Sequence, residues 1–150
     1  MTIAHERANR FRQWINSDAV FTATGHDLKY ADHPTTAGTI GALVGHLDRV
    51  CRGERHAFLF YLFGVASSKG LTVRQRNALL AWLAPRKFEM GDAIPPDYEF
   101  PDLDANLDKG FWLVRRKCLD TAAAVVEVAR LQAGQIPITW EVTEKVKADS

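Results

Sequence analysis

The stretch FGVASSKGLTVRQRNALLAWL, Phe63 to Leu83, decides how the rest of the chain is read, and it divides at Thr72. From Thr72 onward the sequence predicts an α-helix. Threonine is a favoured N-cap, and Gln75 three residues later completes a capping box. Gln75, Ala78, Leu79, Trp82 and Leu83 share one side and predict a buried face, with Arg74, Asn77 and Ala81 opposite. Pro85 closes this helix. Ahead of Thr72, Gly64 stands where a left-handed residue ends a preceding helix. Ser67, Ser68, Lys69 and Gly70 lie between as a polar turn.

The turn has two readings. Ser, Lys and Gly are ordinary connector residues, with a serine that caps and a lysine that is merely solvated. Alternatively, the turn cradles an anion. A helix N-terminus offers unpaired N–H groups and a partial positive charge, the combination that holds phosphate. Ser67 and Ser68 would donate to phosphate oxygens, Lys69 would supply charge, and Gly70 would let the backbone come close. Arg74 follows one turn into the helix.

Moving outward, ERHAFLFYLFG upstream predicts a buried helix ended by Gly64. Before it, Ile40, Leu43, Val44 and Leu47 make a core-facing stripe, so a helix starts near Thr35 or Thr36 and runs to Cys51. Gly38, Gly41 and Gly45 interrupt this helix, at about 1 kcal/mol each. They are expected where another backbone packs close. Residues 3–15 form a first helix with Ile3, Ala8, Phe11 and Ile15 inward and Trp14 alongside. Residues 17–35 are mostly loop, with a short element at Ala19–Ala23. A long loop holds Pro95, Pro96 and Pro101. A last long helix begins between Asp104 and Asp108, with Phe111, Val114, Cys118, Ala122, Val125 and Ala129 inward, and ends at Gly134 and Pro137. The alternation in IPITWEV fits a short strand or docking arm, and TEKVKADS reads as a frayed tail. These elements predict a mainly α fold, one domain of about five helices in a compact bundle. The 150 residues suit a single domain.

Charge is patterned more sharply than its net value of +1 suggests. Arg49 to Lys87 holds eight Lys/Arg and one acid, a local charge of +7, and Phe88 to Asp108 holds seven acids and no Lys/Arg. Either the basic block is a binding face beside its own mimic, or the two blocks pair across the surface. In the first case Arg49, Arg52 and Arg55 extend the turn at Ser67–Arg74 into a track for a nucleic-acid backbone. Arg115, Arg116 and Lys117 add a second basic stripe on the outer face of the last helix. Trp14, Tyr30 and Trp112 are candidate stacking rings for single-stranded bases, although aromatics at helical spacing more commonly form core.

With these residues in view, LFGVASSKGLTVRQRNALLAWL resembles a short helical module found in bacterial and phage proteins. Some of those proteins look like accessories to single-strand annealing or recombination proteins. The resemblance covers about residues 37–84. Leu71, Thr72 and Trp82 match it, whereas Gly70 stands where an acidic residue is expected. It implies a nucleic-acid context without a defined activity.

Catalytic signatures are weak. His26, Asp27, Asp32 and His33 gather in GHDLKYADH, but in no standard metal-binding spacing. No HExxH, P-loop or GxSxG occurs, and nothing implies a cofactor. Cys51 and Cys118 lack a disulfide framework or a CxxC pair, which points to a reducing, cytoplasmic setting. The longest apolar run, Ala57–Phe63, is far short of the ~20 residues of a membrane span, and the N-terminus has no export-signal pattern. The leading expectation is a non-catalytic nucleic-acid-binding or nucleoprotein-accessory protein, with single strands preferred over duplex. The alternative is a protein-interaction subunit of a phage or CRISPR-type assembly, with the acidic loop as contact surface. A small metal-dependent enzyme comes third.

Overall fold

The computed structural model describes residues 2–25, 33, 37–84, 88–98 and 116–133. They form six α-helices: α1 (Ile3–Ile15), α2 (Asp18–Thr24), α3 (Ala37–Val50), α4 (Arg55–Phe63), α5 (Val73–Leu83) and α6 (Arg116–Ala133). Single 3₁₀ turns lie at Ser68–Gly70 and Gly91–Ala93. No strand occurs among the described residues. The expected start of the last helix, its positions Phe111 and Val114, and the C-terminal strand or arm lie outside them.

Three aromatic rings join three helices. Phe11 of α1, Phe58 of α4 and Trp82 of α5 are each at most 1% exposed. The Phe11 and Trp82 ring centroids are 4.8 Å apart and those of Phe58 and Trp82 are 5.5 Å apart. α6 packs along both α1 and α4, with Cys118, Ala122, Val125 and Ala129 buried as their spacing predicts. α2 lies on α5 and on the Gly91–Ala93 turn.

Several helix ends form by the chemistry legible in sequence. Thr72 Oγ1 accepts from Gln75 N at 3.2 Å, and Gln75 Oε1 accepts from Thr72 N at 2.9 Å, closing the capping box. Gly64 ends α4 at φ 70°, a left-handed conformation that costs glycine little.

Other expectations need correction. Ile3 is 79% exposed, at the first position of α1. Ala4 packs against the core instead, so the inward stripe is Ala4, Ala8, Phe11 and Ile15, a regular helical spacing. Ser17 opens a helix in the stretch expected to be mostly loop. Its hydroxyl donates to Trp14 O and accepts from Val20 N, so one side chain ends α1 and caps α2. Because α2 is a full helix covering the far side of α5, Ala81 is completely buried, not outward-facing. Gly41 and Gly45 are exposed, and a Cβ on either would meet no atom of the described residues within 4 Å, so neither marks a close approach of another described backbone segment.

Trp82 also makes the polar contact that secures the following segment. Its indole Nε1 donates to Asp97 Oδ2 at 2.6 Å. Trp14 Nε1 likewise donates to Ala93 O at 2.9 Å. The first part of the acidic block is therefore docked on the bundle, with Met90 and Ala93 buried.

Two stability changes follow. Gly45→Ala should stabilise the protein by about 0.5–1 kcal/mol, because the exposed position gains helix propensity without a clash. Trp82→Phe should destabilise it by about 2–3 kcal/mol, since Asp97 loses its donor and the core loses volume. Urea unfolding followed by circular dichroism measures both.

Candidate functional site

The Ser67–Thr72 turn spends its donors on itself. Ser67 Oγ accepts from Lys69 N at 3.1 Å, and Ser67 O accepts from Gly70 N at 3.0 Å. Leu71 N donates to Ser68 O, and the Leu71 side chain is fully buried. At the start of α5 the capping box uses the N–H groups of Thr72 and Gln75, and Val73 N donates to His33 O at 2.9 Å. Ser67 and Ser68 are buried at 9% exposure, so their hydroxyls do not present an outward cradle. A Cβ on Gly70 would touch Val65 at 3.4 Å, so this glycine packs against its own chain. Lys69 alone of this group projects into solvent.

The basic residues around the turn do not form one track. Arg55 Nη1 donates to Asp48 Oδ2 at 2.6 Å. Arg74 lies over the Phe21 ring at 4.2 Å, with Asp18 Oδ1 3.9 Å away and Asn16 O at 3.5 Å. Asn16 also bonds Leu62 O near the end of α4, whereas Arg55 begins that helix. Arg55 and Arg74 thus flank opposite ends of a nine-residue helix, about 12 Å apart along its axis at 1.5 Å per residue. Arg49 and Arg52 are exposed near the Arg55 end, where Glu54 pairs with Arg130. Arg115 and the side chain of Arg116 lie outside the described residues. Trp14, one of the stacking candidates, packs on Phe11 and bonds Ala93, so it belongs to the core; Tyr30 and Trp112 lie outside the description.

Lys117 reaches a different place. A cavity of about 160 Å³ opens between α1, α6 and the segment around Pro96. Arg7 and Arg10 form one wall, and Lys117 and Thr121 form another. Asp97 and Tyr98 close the third side, and the edge of Phe11 contributes beneath them. Helical geometry explains the convergence. Arg7, Arg10 and Trp14 are spaced i, i+3, i+7 along one flank of α1. Trp14 fastens that flank to Ala93, which brings the two arginines beside residues 96–98. Lys117 and Thr121 are spaced i, i+4 on α6. Arg7 and Arg10 make no ion pair with a described residue, while Asp97 is held by Trp82. Among the described residues that line this cleft, three are cations and one is a carboxylate.

A second depression lies between α2 and residues 88–93. Ala23, Met90 and Ala93 provide its apolar floor, and Asp18, Glu89 and Asp92 its rim.

Among the described residues no group of three or more His, Cys, Asp or Glu is arranged to hold a metal ion. Of His26, Asp27, Asp32 and His33, only His33 is among the described residues. No helix among the described residues is long and apolar enough to cross a membrane. No protein-family model, curated protein or solved structure matches the chain.

Both cysteines are free and buried. Burial, reinforced by Asp48, pushes the Cys51 thiol well above its ordinary range. An acid whose folded pKa is raised stays protonated in the native state while the unfolded chain ionises. Its stabilising contribution is therefore complete below the unfolded pKa and is lost as pH climbs past about 8.5. Thiol titration of native protein at pH 8 should show no rapidly reacting cysteine until denaturant is added. Cys51→Ala should flatten the decline of stability between about pH 8.5 and 10.

Proposed function

We propose that the protein is a non-catalytic nucleic-acid-binding accessory that takes hold of a strand by its phosphates in the α1–α6 cleft. The observation carrying this reading is the convergence of Arg7, Arg10 and Lys117 on one cavity. Arginine forks suit phosphate oxygens, and lysine adds a point charge. A recessed site of this size accepts a phosphate of a pliable single strand in preference to rigid duplex. Tyr98 at its wall is the aromatic residue nearest such a strand, and aromatic rings are the usual partners of unpaired bases. The resemblance of residues 37–84 to modules near annealing and recombination proteins agrees with such a role. In this reading the SSKGLT turn is a structural joint, and Arg49, Arg52, Lys69 and Arg74 add only long-range attraction.

The alternative, an interaction subunit of a phage or CRISPR-type assembly, is favoured by the acid-rimmed depression beside α2, whose apolar floor and carboxylates would suit a basic partner segment.

Fluorescence anisotropy with labelled single-stranded DNA, RNA and duplex tests the leading reading. With about three phosphate contacts, single-strand affinity should fall roughly twentyfold between 50 and 200 mM salt. Arg7→Glu combined with Arg10→Glu should weaken binding more than about tenfold, and Lys69→Glu less than about threefold. Absence of binding at low salt, or equal losses from both variants, would overturn the assignment of the cleft.

A further inference from the structure

One flank of α2 is left open by the bundle. Val20 and Thr24, spaced i, i+4, are buried, whereas Asp18, Ala19 and Thr22 are exposed. Beside that flank runs the segment from Phe88 to Ala93, which is held from beneath. Trp14 Nε1 donates to Ala93 O at 2.9 Å, and Ala93 N donates to Met90 O at 2.8 Å. The depression between them measures about 870 Å³, room for a stretch of chain rather than for one ion. Small alanines on its floor leave the space, and the Met90 thioether adapts to what enters it.

The sign of the charge narrows the occupant. Asp18, Glu89 and Asp92 stand on the rim, and no Lys, Arg or His is among the described residues that line the depression. Arg74 Nη2 comes within 3.9 Å of Asp18 Oδ1, but Asp18 is fully exposed and the guanidinium lies over the Phe21 ring, so this pair neutralises little. Glu89 and Asp92 make no ion pair with a described residue. Such a rim repels a nucleic-acid backbone or an anionic lipid surface. Nor do its carboxylates converge as metal ligands, since no group of three or more His, Cys, Asp or Glu among the described residues is arranged to hold an ion. Floor and rim together fit an occupant that is apolar in the middle and cationic on both sides.

We propose that this depression docks a basic segment of a partner protein. The segment sets an aliphatic side chain on Met90 and Ala93, with Lys or Arg beside Asp18 on one wall and beside Glu89 and Asp92 on the other. This deepens the partner-contact reading, on which it rests, and is independent of the α1–α6 cleft.

The test titrates nitrogen-15-labelled protein with three capped nonapeptides in a Gly/Ser background. One has lysines on either side of a central leucine, one has that leucine replaced by serine, and one has the lysines replaced by glutamate. The amide signals of Thr22, Ala23 and Gly91–Ala93 should move with the lysine–leucine peptide. It should bind about tenfold more tightly than its serine counterpart, the worth of one buried aliphatic side chain, and the glutamate peptide should not bind. Glu89→Gln combined with Asp92→Asn should weaken binding about fivefold, the loss of two exposed ion pairs. Ala19→Arg, at an exposed helical position, should weaken it by a similar factor, and circular dichroism confirms that both variants fold. Affinity unchanged in both variants would overturn the depression as the contact and leave a partner-contact role elsewhere on the acidic stretch standing. Absence of binding by every peptide at millimolar concentration would overturn both. Equal binding of the serine peptide, or equally strong competition by spermidine, would reduce the surface to a patch of charge, against the proposal. A single-stranded DNA that moves the same amide signals would also overturn it.

Discussion

A buried tryptophan must place its one polar atom, and the placement of the Trp82 indole N–H organises much of this molecule. The ring is sealed between Phe11 and Phe58, so α1, α4 and α5 meet at one point. The N–H emerges toward Asp97. A neutral donor to a charged acceptor contributes more than an average hydrogen bond, about 2 kcal/mol. That bond fixes a segment whose prolines and acids give it little helix propensity of its own. The same Asp97 then forms a wall of the α1–α6 cleft, so core packing and the candidate binding surface share a residue.

The SSKGLT turn shows how strong local signals can compete. The residue types that would favour an anion at a helix start also favour a self-satisfied cap. A capping box consumes two of the free N–H groups, and the His33 carbonyl takes a third. Each donor used internally is withdrawn from any ligand. The more complete the cap, the poorer the cradle. Charge near such a turn still shapes the long-range field, but it does not define a contact site.

Much of the bundle was legible from spacing. Thr72 with Gln75, Gly64 after an apolar run, and the Cys118–Ala122–Val125–Ala129 stripe all depend on contacts within a few residues, and all appear as expected. The failures have a common origin in distant neighbours. Ala81 looked exposed because α2 was read as a short element rather than a complete cover. Gly41 and Gly45 were assigned a packing role, though no described residue approaches the place of a Cβ on either. The basic block of residues 49–87 was legible as composition, but its distribution depended on Asn16 bridging to Leu62 and Arg74. Arg7 and Arg10 passed unnoticed as a site. Their i, i+3 spacing beside Trp14 was visible, whereas the opposing Lys117 lies more than a hundred residues away.

The solvent-facing glycines of α3 bear on how the native molecule opens. A helix gains no side-chain contacts at such positions, and its unfolded segment gains entropy from them. At these two positions opening of α3 gives up less than it would with alanine there, whereas α4 and α5 are anchored through the aromatic rings. Cys51 follows the last residue of α3 directly. Its inaccessible sulfur thus becomes an internal clock: the rate at which it meets a reagent in native buffer counts excursions of that helix, separately from unfolding of the whole chain.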